Sequence, residues 1–395
     1  MLSAMRLPWA VAPALVLMAL SPHSVWAEGR TPPPGVSPRV RHALSLALET
    51  GLDTNARRMQ VGLGEELDVL GYAFARGKLA LGWPRLSAQL DAEAGGKLYA
   101  QVAAENLLAA RLSASLAYRV ATASLFFLEL VAKDKYQAGD PIDAVEGDPL
   151  LGCAPPPSVP RDGYRCNRRD YRQGHLGGGM HLQVAPDWSV RGQAGFGAFS
   201  YKPNPEFSYM GPDLSAQVQH PFSRRLVGSL YVSASLRFYD PASVTYRRVA
   251  GGNVLAEERD RIEQIYGGGV ALRYRGPLIV SGSLSLSRSF NNSVGMDAWR
   301  GRLEVTGAAK LTRATTLVAS AAFQIAYYPE GNILSLFYAV GDQDERQNSL
   351  ALKLSQRLDE RLSLIVKGQL YANELSASTL PFRRTLFQVG MRLDL

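Results

Sequence analysis

Strict alternation of apolar and polar side chains is the feature that most constrains this chain. From about residue 43 onward, segments of roughly 10–15 alternating residues are each followed by a turn. The last segment is the clearest, because Phe387 and Met391 fall on one face and Gln388 and Arg392 on the other. Successive side chains of a β-strand point to opposite faces, so a two-residue period predicts strands and not helices. Such strands repeated along a whole chain are typical of a transmembrane β-barrel.

The connections between the predicted strands alternate in length. The short ones are 186–188, 222–225, 275–277, 312–315 and 356–360, and the long ones are about 202–212, 240–262, 290–299, 329–345 and 374–382. Outer-membrane barrels have short periplasmic turns and longer external loops, whereas a soluble β-sandwich has no reason to alternate in this way. We therefore predict an all-β fold, a transmembrane antiparallel up-and-down β-barrel of about 16 strands, with about 14 to 18 as the permitted range.

Strand boundaries are least certain near the beginning of the barrel. Five strands are predicted before the loop 137–172, at about 42–54, 61–76, 80–102, 107–118 and 123–136, and eleven after it. From Leu86 to Leu116 the apolar residues stay on even-numbered positions, so the turns within this stretch are hard to locate. The remaining strands follow from the alternation alone.

The first 27 residues have the composition of a secretory signal peptide. Arg6 supplies the positive charge, residues 11–20 are apolar, and Val25-Trp26-Ala27 offers a cleavage site after Ala27. The alternative, an uncleaved membrane anchor, is disfavoured because a spanning helix needs about 20 apolar residues. The sequence thus predicts a periplasmic linker at 28–41, a barrel at 42–395 and an outer-membrane location.

Two cysteines, Cys153 and Cys166, lie in the same predicted external loop, 137–172. Because exported proteins meet an oxidising environment, we predict a disulfide that closes this loop. A metal site is the weaker alternative, since two thiols without a CxxC or His-x-x-x-His motif make a poor ligand set.

Basic residues dominate the polar face of the predicted strands. The formal net charge is +8, and the basic residues are dispersed along strands and not clustered as in a nucleic-acid-binding segment. The predicted pore-lining residues are Arg111, Arg191, Arg237, Arg273, Arg302, Lys310, Lys353, Lys367, Arg392, Tyr231 and Tyr371. The opposing acids are Asp91, Glu93, Glu304 and Asp394. A surplus of one sign in a pore attracts the opposite charge, which favours an anion-attracting lumen. The alternative is that the charges pair across the lumen and close it.

Catalysis has little support in the residues. His42, His175, His181 and His220 are read as loop and rim histidines, and no G-x-S-x-G elbow accompanies the many serines. The glycine run 177–179 does not match a phosphate-binding loop. We therefore predict no catalytic residues, no cofactor and no metal, although barrel-embedded lipases and esterases keep an enzymatic alternative open.

The end of the first strand, Gly51-Leu52-Asp53-Thr54-Asn55, resembles the Gly-aromatic/aliphatic-Asp-Ser/Thr-Asn run of outer-membrane porins associated with exopolysaccharide secretion. This resemblance implies a conduit for secreted, plausibly acidic, exopolysaccharide. It also implies a separate polysaccharide-export partner, since the helical-repeat domain of some such proteins has no counterpart here. Outer-membrane lipid, lipopolysaccharide and the barrel assembly machinery are the other expected partners. The alternatives are a general or anion-selective nutrient porin and a surface adhesin or structural barrel with a plugged lumen.

Overall fold

The computed structural model describes residues 39–56, 67–102, 106–137, 171–201, 208–240, 245–248, 254–257, 259–293, 297–327, 329, 348–373 and 382–395. These ranges consist of strands and their connections. They contain no helix that could cross a membrane. The strands are β1 (Arg39–Asp53), β2 (Asp68–Gly82), β3 (Leu86–Tyr99), β4 (Leu107–Ala121), β5 (Ser124–Gln137), β6 (Tyr171–Ala185), β7 (Trp188–Tyr201), β8 (Tyr209–Pro221), β9 (Leu226–Tyr239), β10 (Thr245–Arg248), β11 (Val254–Glu257), β12 (Ile262–Arg275), β13 (Leu278–Asn291), β14 (Ala298–Lys310), β15 (Thr315–Tyr327), β16 (Asn348–Arg357), β17 (Leu362–Asn373) and β18 (Phe382–Asp394).

Sixteen of these strands form one closed antiparallel barrel. Each strand pairs with the next in sequence, and the barrel closes where β1 pairs with β18, from Ser45 opposite Asp394 to Asp53 opposite Leu386. The two short strands β10 and β11 form a separate hairpin within the connection from β9 to β12. The predicted fold class is confirmed, with five barrel strands before the loop 138–170 and eleven after it.

The two faces of the barrel wall differ as the alternation predicts. On β18, Phe387 and Met391 are 49% and 51% exposed, whereas Arg384 and Leu386 are 6% and 4% exposed. Since a closed barrel has no edges, its backbone bonds are satisfied and its outer face needs only apolar side chains to meet lipid. The outer face carries an apolar band that includes Leu48, Leu214, Leu230, Val270, Leu284, Leu303 and Leu352.

Exposed aromatic side chains flank this apolar band at both ends. One end, here called the turn end, has the short connections 83–85, 122–123, 186–187, 222–225, 276–277, 311–314 and 358–361. Its outer-face aromatics are Tyr118, Phe126, Trp188 and Phe222. At the opposite end, the loop end, the aromatics of β12 to β15 are Tyr266, Phe290, Trp299 and Tyr327. Two aromatic girdles around an apolar band are the surface of a transmembrane barrel.

The positions predicted for the second and third strands, 61–76 and 80–102, are wrong. The structure has a turn at residues 83–85, six or more positions later than predicted, between β2 and β3. Pro84 lies in this turn, where its missing N–H costs no ladder bond. The outward positions also change from odd in β2, such as Val69, to even in β3, such as Leu90. That change of phase at Pro84 was the signal for the boundary.

Several predictions fall outside the described residues. The signal peptide and its cleavage after Ala27 belong to residues 1–38, as does most of the linker 28–41. Cys153 and Cys166 lie in 138–170, so the disulfide also stays a prediction.

Candidate functional site

The inner face of the barrel holds every residue that the sequence places in the pore. Ladder pairing places Arg111 opposite Glu93 and Lys353 opposite Lys367, so these four side chains share that face. By the same alternation it also carries Arg191, Arg237, Arg273, Arg302, Lys310, Arg392, Tyr231 and Tyr371. The inner face is therefore rich in arginine and lysine, and their role in a pore remains a prediction.

The inner face holds more acids than the four that the sequence indicated. Besides Asp91, Glu93, Glu304 and Asp394, it carries Glu49, Asp53, Glu129, Asp213 and Glu263, all on the inward positions of their strands. Extending the alternation count to β1, β5, β8 and β12 would have found them. Most of these acids have a basic partner, so the field in the lumen depends on which bases are left unpaired.

Two inner-face ion pairs and one histidine–carboxylate contact join strands that are not neighbours. Lys367 on β17 donates to Glu49 on β1 at 2.5 Å, across β18. Arg191 on β7 donates to Glu129 on β5 at 3.0 Å, across β6. In the third pair, His175 on β6 lies 2.9 Å from Asp213 on β8, across β7. Each of these contacts therefore crosses the inner face of the strand that lies between its two partners.

Glycine provides the space under two of these pairs. A Cβ atom at Gly195, on β7, would lie 2.5 Å from Nε2 of His175 and 3.0 Å from Oδ2 of Asp213. A Cβ atom at Gly390, on β18, would lie 2.5 Å from Cγ of Glu49. Atoms that are not bonded to each other do not approach this closely. Each strand between the two partners therefore needs a residue without a side chain at that point.

We expect Gly195→Val to separate His175 from Asp213 and to destabilise the barrel by roughly 1–3 kcal/mol, the usual cost of overpacking. The matched control is Gly192→Val on the same strand, since a Cβ there meets nothing within 4 Å. Guanidinium unfolding of the protein refolded into lipid vesicles measures both. Equal stability of the two variants would contradict the steric role given to Gly195.

A buried polar cluster, here called the seam cluster, joins the first and last strands at the loop end. It consists of Asp53, Asn55, Tyr99 and Arg384. Arg384 donates from Nε to both carboxylate oxygens of Asp53 at 3.0 and 2.8 Å and from Nη2 at 2.5 Å. The hydroxyl of Tyr99 donates to the same carboxylate at 2.9 Å and itself accepts a bond from Arg384. Asp53 is fully buried, so this is a charge pair shielded from water.

The run Gly51 to Asn55, singled out in the sequence, thus belongs to barrel closure. Asn55 donates from Nδ2 to the carbonyl of Arg383 at 2.9 Å. Thr54 donates its backbone N–H to the carbonyl of Thr385 and accepts from the Thr385 N–H through its hydroxyl, both at 3.0 Å. These bonds continue the β1–β18 ladder beyond its last strand pair. Sequence alone does not reveal this, because the partners are more than 300 positions away.

An open space lies beside the inner wall on one side of the barrel. A cavity of about 680 Å³ follows β8, β9 and β12 to β17. Short polar side chains dominate that side of the barrel, here called the serine wall: Ser229, Ser281, Ser283, Thr306, Ser320 and Ser349, with Gln217, Gln219 and Gln369. The facing side, here called the charged wall, is formed by β18 and β1 to β7 and carries most of the long paired side chains already described. The open space therefore lies against hydroxyl and amide groups.

Several inner-face bases make no ion pair among the described residues, and they include Arg273, Arg275, Lys310 and Lys353. Arg273 and Arg275 line the cavity itself. By contrast, Arg302 is held by Glu304 at 2.5 Å, so its charge is largely neutralised locally. Arg273 and Arg275 place unpaired positive charge on the cavity lining, and charge of one sign in a pore attracts the opposite charge.

The inner face offers hydrogen-bonding and ionic groups and an open cavity. His175 and His181 share this face on β6, and His175 is engaged with Asp213. Among the described residues, no group of three or more His, Cys, Asp or Glu is placed to hold a metal ion. The arrangement therefore offers groups that can form hydrogen bonds and ion pairs with polar anionic molecules.

No protein-family model matches the chain, and no curated protein matches it. The chain also aligns with solved structures of outer-membrane proteins. A loop-deletion mutant of OmpT, an outer membrane protein of Vibrio cholerae, aligns over 91% of this chain and 100% of its own at 11% identity and a TM-score of 0.40. A bacterial polysaccharide outer membrane secretin covers 90% and 97% at 9% identity and 0.42. A mutant of the TodX monoaromatic hydrocarbon channel covers 91% and 90% at 9% identity and 0.37.

Proposed function

We propose that this protein is an outer-membrane channel for polar anionic molecules, and that its cargo is an acidic exopolysaccharide leaving the cell. The observation that carries the proposal is the cavity along the serine wall, which has Arg273 and Arg275 unpaired on its lining. Hydroxyl and amide side chains exchange hydrogen bonds with sugar hydroxyls, as water does. The guanidinium groups attract carboxylates, and Arg matches carboxylate geometry in a bidentate manner.

The channel would act passively. The loop end would face the outside and the turn end the periplasm, where an export partner would deliver polymer. A lumen that offers many weak contacts and few strong ones allows a polymer to enter and also to leave. In this proposal the polymer would pass along the serine wall, while the charged wall would contribute to the closure of the barrel.

Current recordings in planar bilayers test this function. We expect the wild-type protein to conduct, and an oligouronate hexamer to interrupt the current at roughly tenfold lower concentration than a neutral maltohexaose, a difference of about 1.4 kcal/mol in binding. A silent protein would exclude the channel and favour a plugged structural barrel. Equal block by both sugars would favour the second candidate, a general or anion-selective nutrient porin, for which the unpaired bases are also suited.

A further inference from the structure

Charged side chains on the outer face of the barrel are confined to one end. Among the described strand residues, those on outward positions are Asp134, Arg172, Arg288 and Arg383, and each lies within a few residues of the loop end. Charge on a lipid-facing position is costly at mid-bilayer and nearly free at the interface. The loop end of the outer face is therefore built for a charged interfacial zone, and the turn end is not.

Arg288 on β13 is the most enclosed of these groups. It shares its face with Leu284, Leu286 and Phe290, which are 55%, 55% and 46% exposed, so it points away from the lumen. Its guanidinium lies 4.9 Å from the ring centre of Phe290 and 5.1 Å from that of Trp299. Two aromatic faces hold the group at the level of the loop-end girdle, where lipid headgroups begin.

One edge of this guanidinium is paired and the other is not. Nη2 donates to Asp297 at 3.2 Å, and Asp297 is itself fixed by accepting the backbone N–H of Asn291 at 2.6 Å. Nη1 is shielded from water and has no acceptor among the described residues. A shielded donor without an acceptor is unfavourable, so the site lacks one hydrogen-bond acceptor.

We propose that Arg288, steadied by Phe290 and Trp299, binds a phosphate group of a lipid in the outer leaflet, of the phosphorylated-sugar class found in lipopolysaccharide. A phosphate supplies acceptor oxygens and negative charge, and arginine is the side chain best suited to it. The acyl chains of the same lipid would lie along the exposed apolar band that includes Leu284 and Leu286. The lipid thereby completes the polar contacts at the loop end without any contact to the lumen.

Native mass spectrometry of the full-length protein in neutral detergent tests the site, with diphosphorylated lipid A as the probe. We expect Arg288→Gln to weaken retention of this lipid by roughly tenfold. The matched control is Arg300→Gln on the adjacent strand, because Arg300 bonds Ser289 at 3.4 Å on the inner face and should not change retention. Dephosphorylated lipid A should bind wild type and Arg288→Gln equally.

Three results would overturn the proposal. The first is equal retention of diphosphorylated lipid A by the wild type and Arg288→Gln. The second is full displacement of the lipid by inorganic phosphate at the same concentration, which would make this a site for the free ion. The third is a dimer or trimer of the protein that is lost in Arg288→Gln, which would assign the surface to a second copy of the chain.

Discussion

Asp53→Ala should destabilise the barrel by roughly 3–5 kcal/mol, the usual cost of leaving a buried charge without its partner. Asp53 is fully buried, and Arg384 is 6% exposed with its guanidinium bonded to that carboxylate. Without Asp53, a positive charge remains between the first and last strands in a site that water does not reach. Guanidinium unfolding from lipid vesicles, followed by tryptophan fluorescence, measures the loss.

Two further variants separate this effect from general sensitivity to mutation. Asp53→Asn keeps the size of the side chain but not its charge, so it should lose most of the same stability. Asp394→Ala removes the acid of another β18 ion pair, with Arg392 at 2.9 Å, in which the two side chains are 38% and 44% exposed. An exposed pair contributes about 0–1 kcal/mol. If Asp53→Ala lost no more stability than Asp394→Ala, the seam cluster would not be what holds the closure.

Lys353→Glu combined with Arg273→Glu should convert the channel from anion-preferring to cation-preferring. Both bases are without an ion pair among the described residues, so their charges act on the lumen in full. Two reversals change the charge of the inner face by about four units, and a pore follows the sign of its lining. The reversal potential under a salt gradient, recorded near about 0.1 M where the screening length is about 10 Å, measures the change.

The location of each charge decides how much it should matter. Arg302→Glu removes a base that is already neutralised by Glu304, so its effect should be smaller than that of either unpaired base. Arg172→Glu makes the same charge change on the outer face, where Arg172 pairs with Asp134 at 3.3 Å and is 67% exposed. It should leave selectivity unchanged. A double variant with unaltered selectivity would contradict the assignment of Lys353 and Arg273 to the conducting path.

The two-residue period was sufficient to predict the fold class, the number of barrel strands and the face on which residues such as Arg237 and Lys367 lie. These features are local, because they depend on neighbours in sequence and on the geometry of one strand. The boundary between β2 and β3 was missed although its signal was local too, namely a change of outward positions at Pro84.

The remaining features depend on contacts that no local pattern contains. The bonds that continue the β1–β18 closure join Asn55 to Arg383. Other contacts join strands that are two apart in the barrel, such as Lys367 with Glu49. Gly390 has to be small because of the Leu48 backbone oxygen and the Glu49 side chain on β1, more than 300 residues earlier in the chain. Which acids pair and which bases stay unpaired follows from that three-dimensional arrangement. The sequence therefore predicted a basic inner face but not which of its bases lack an ion pair.

The position of the cavity along the serine wall has a consequence for how the cargo of the proposed channel could change during evolution. The seam cluster and the Arg191–Glu129 ion pair lie on the charged wall, whereas the cavity follows Ser281, Ser320 and the other short side chains of the serine wall. We expect substitutions on the serine wall to change the width of the cavity and the strength of its contacts with a cargo molecule. The bonds that close the barrel at β1 and β18 should stay intact. Selection for a new cargo and selection for barrel stability would therefore act largely on different strands. Under the proposed function, the cargo could change while the residues that close the barrel stay the same.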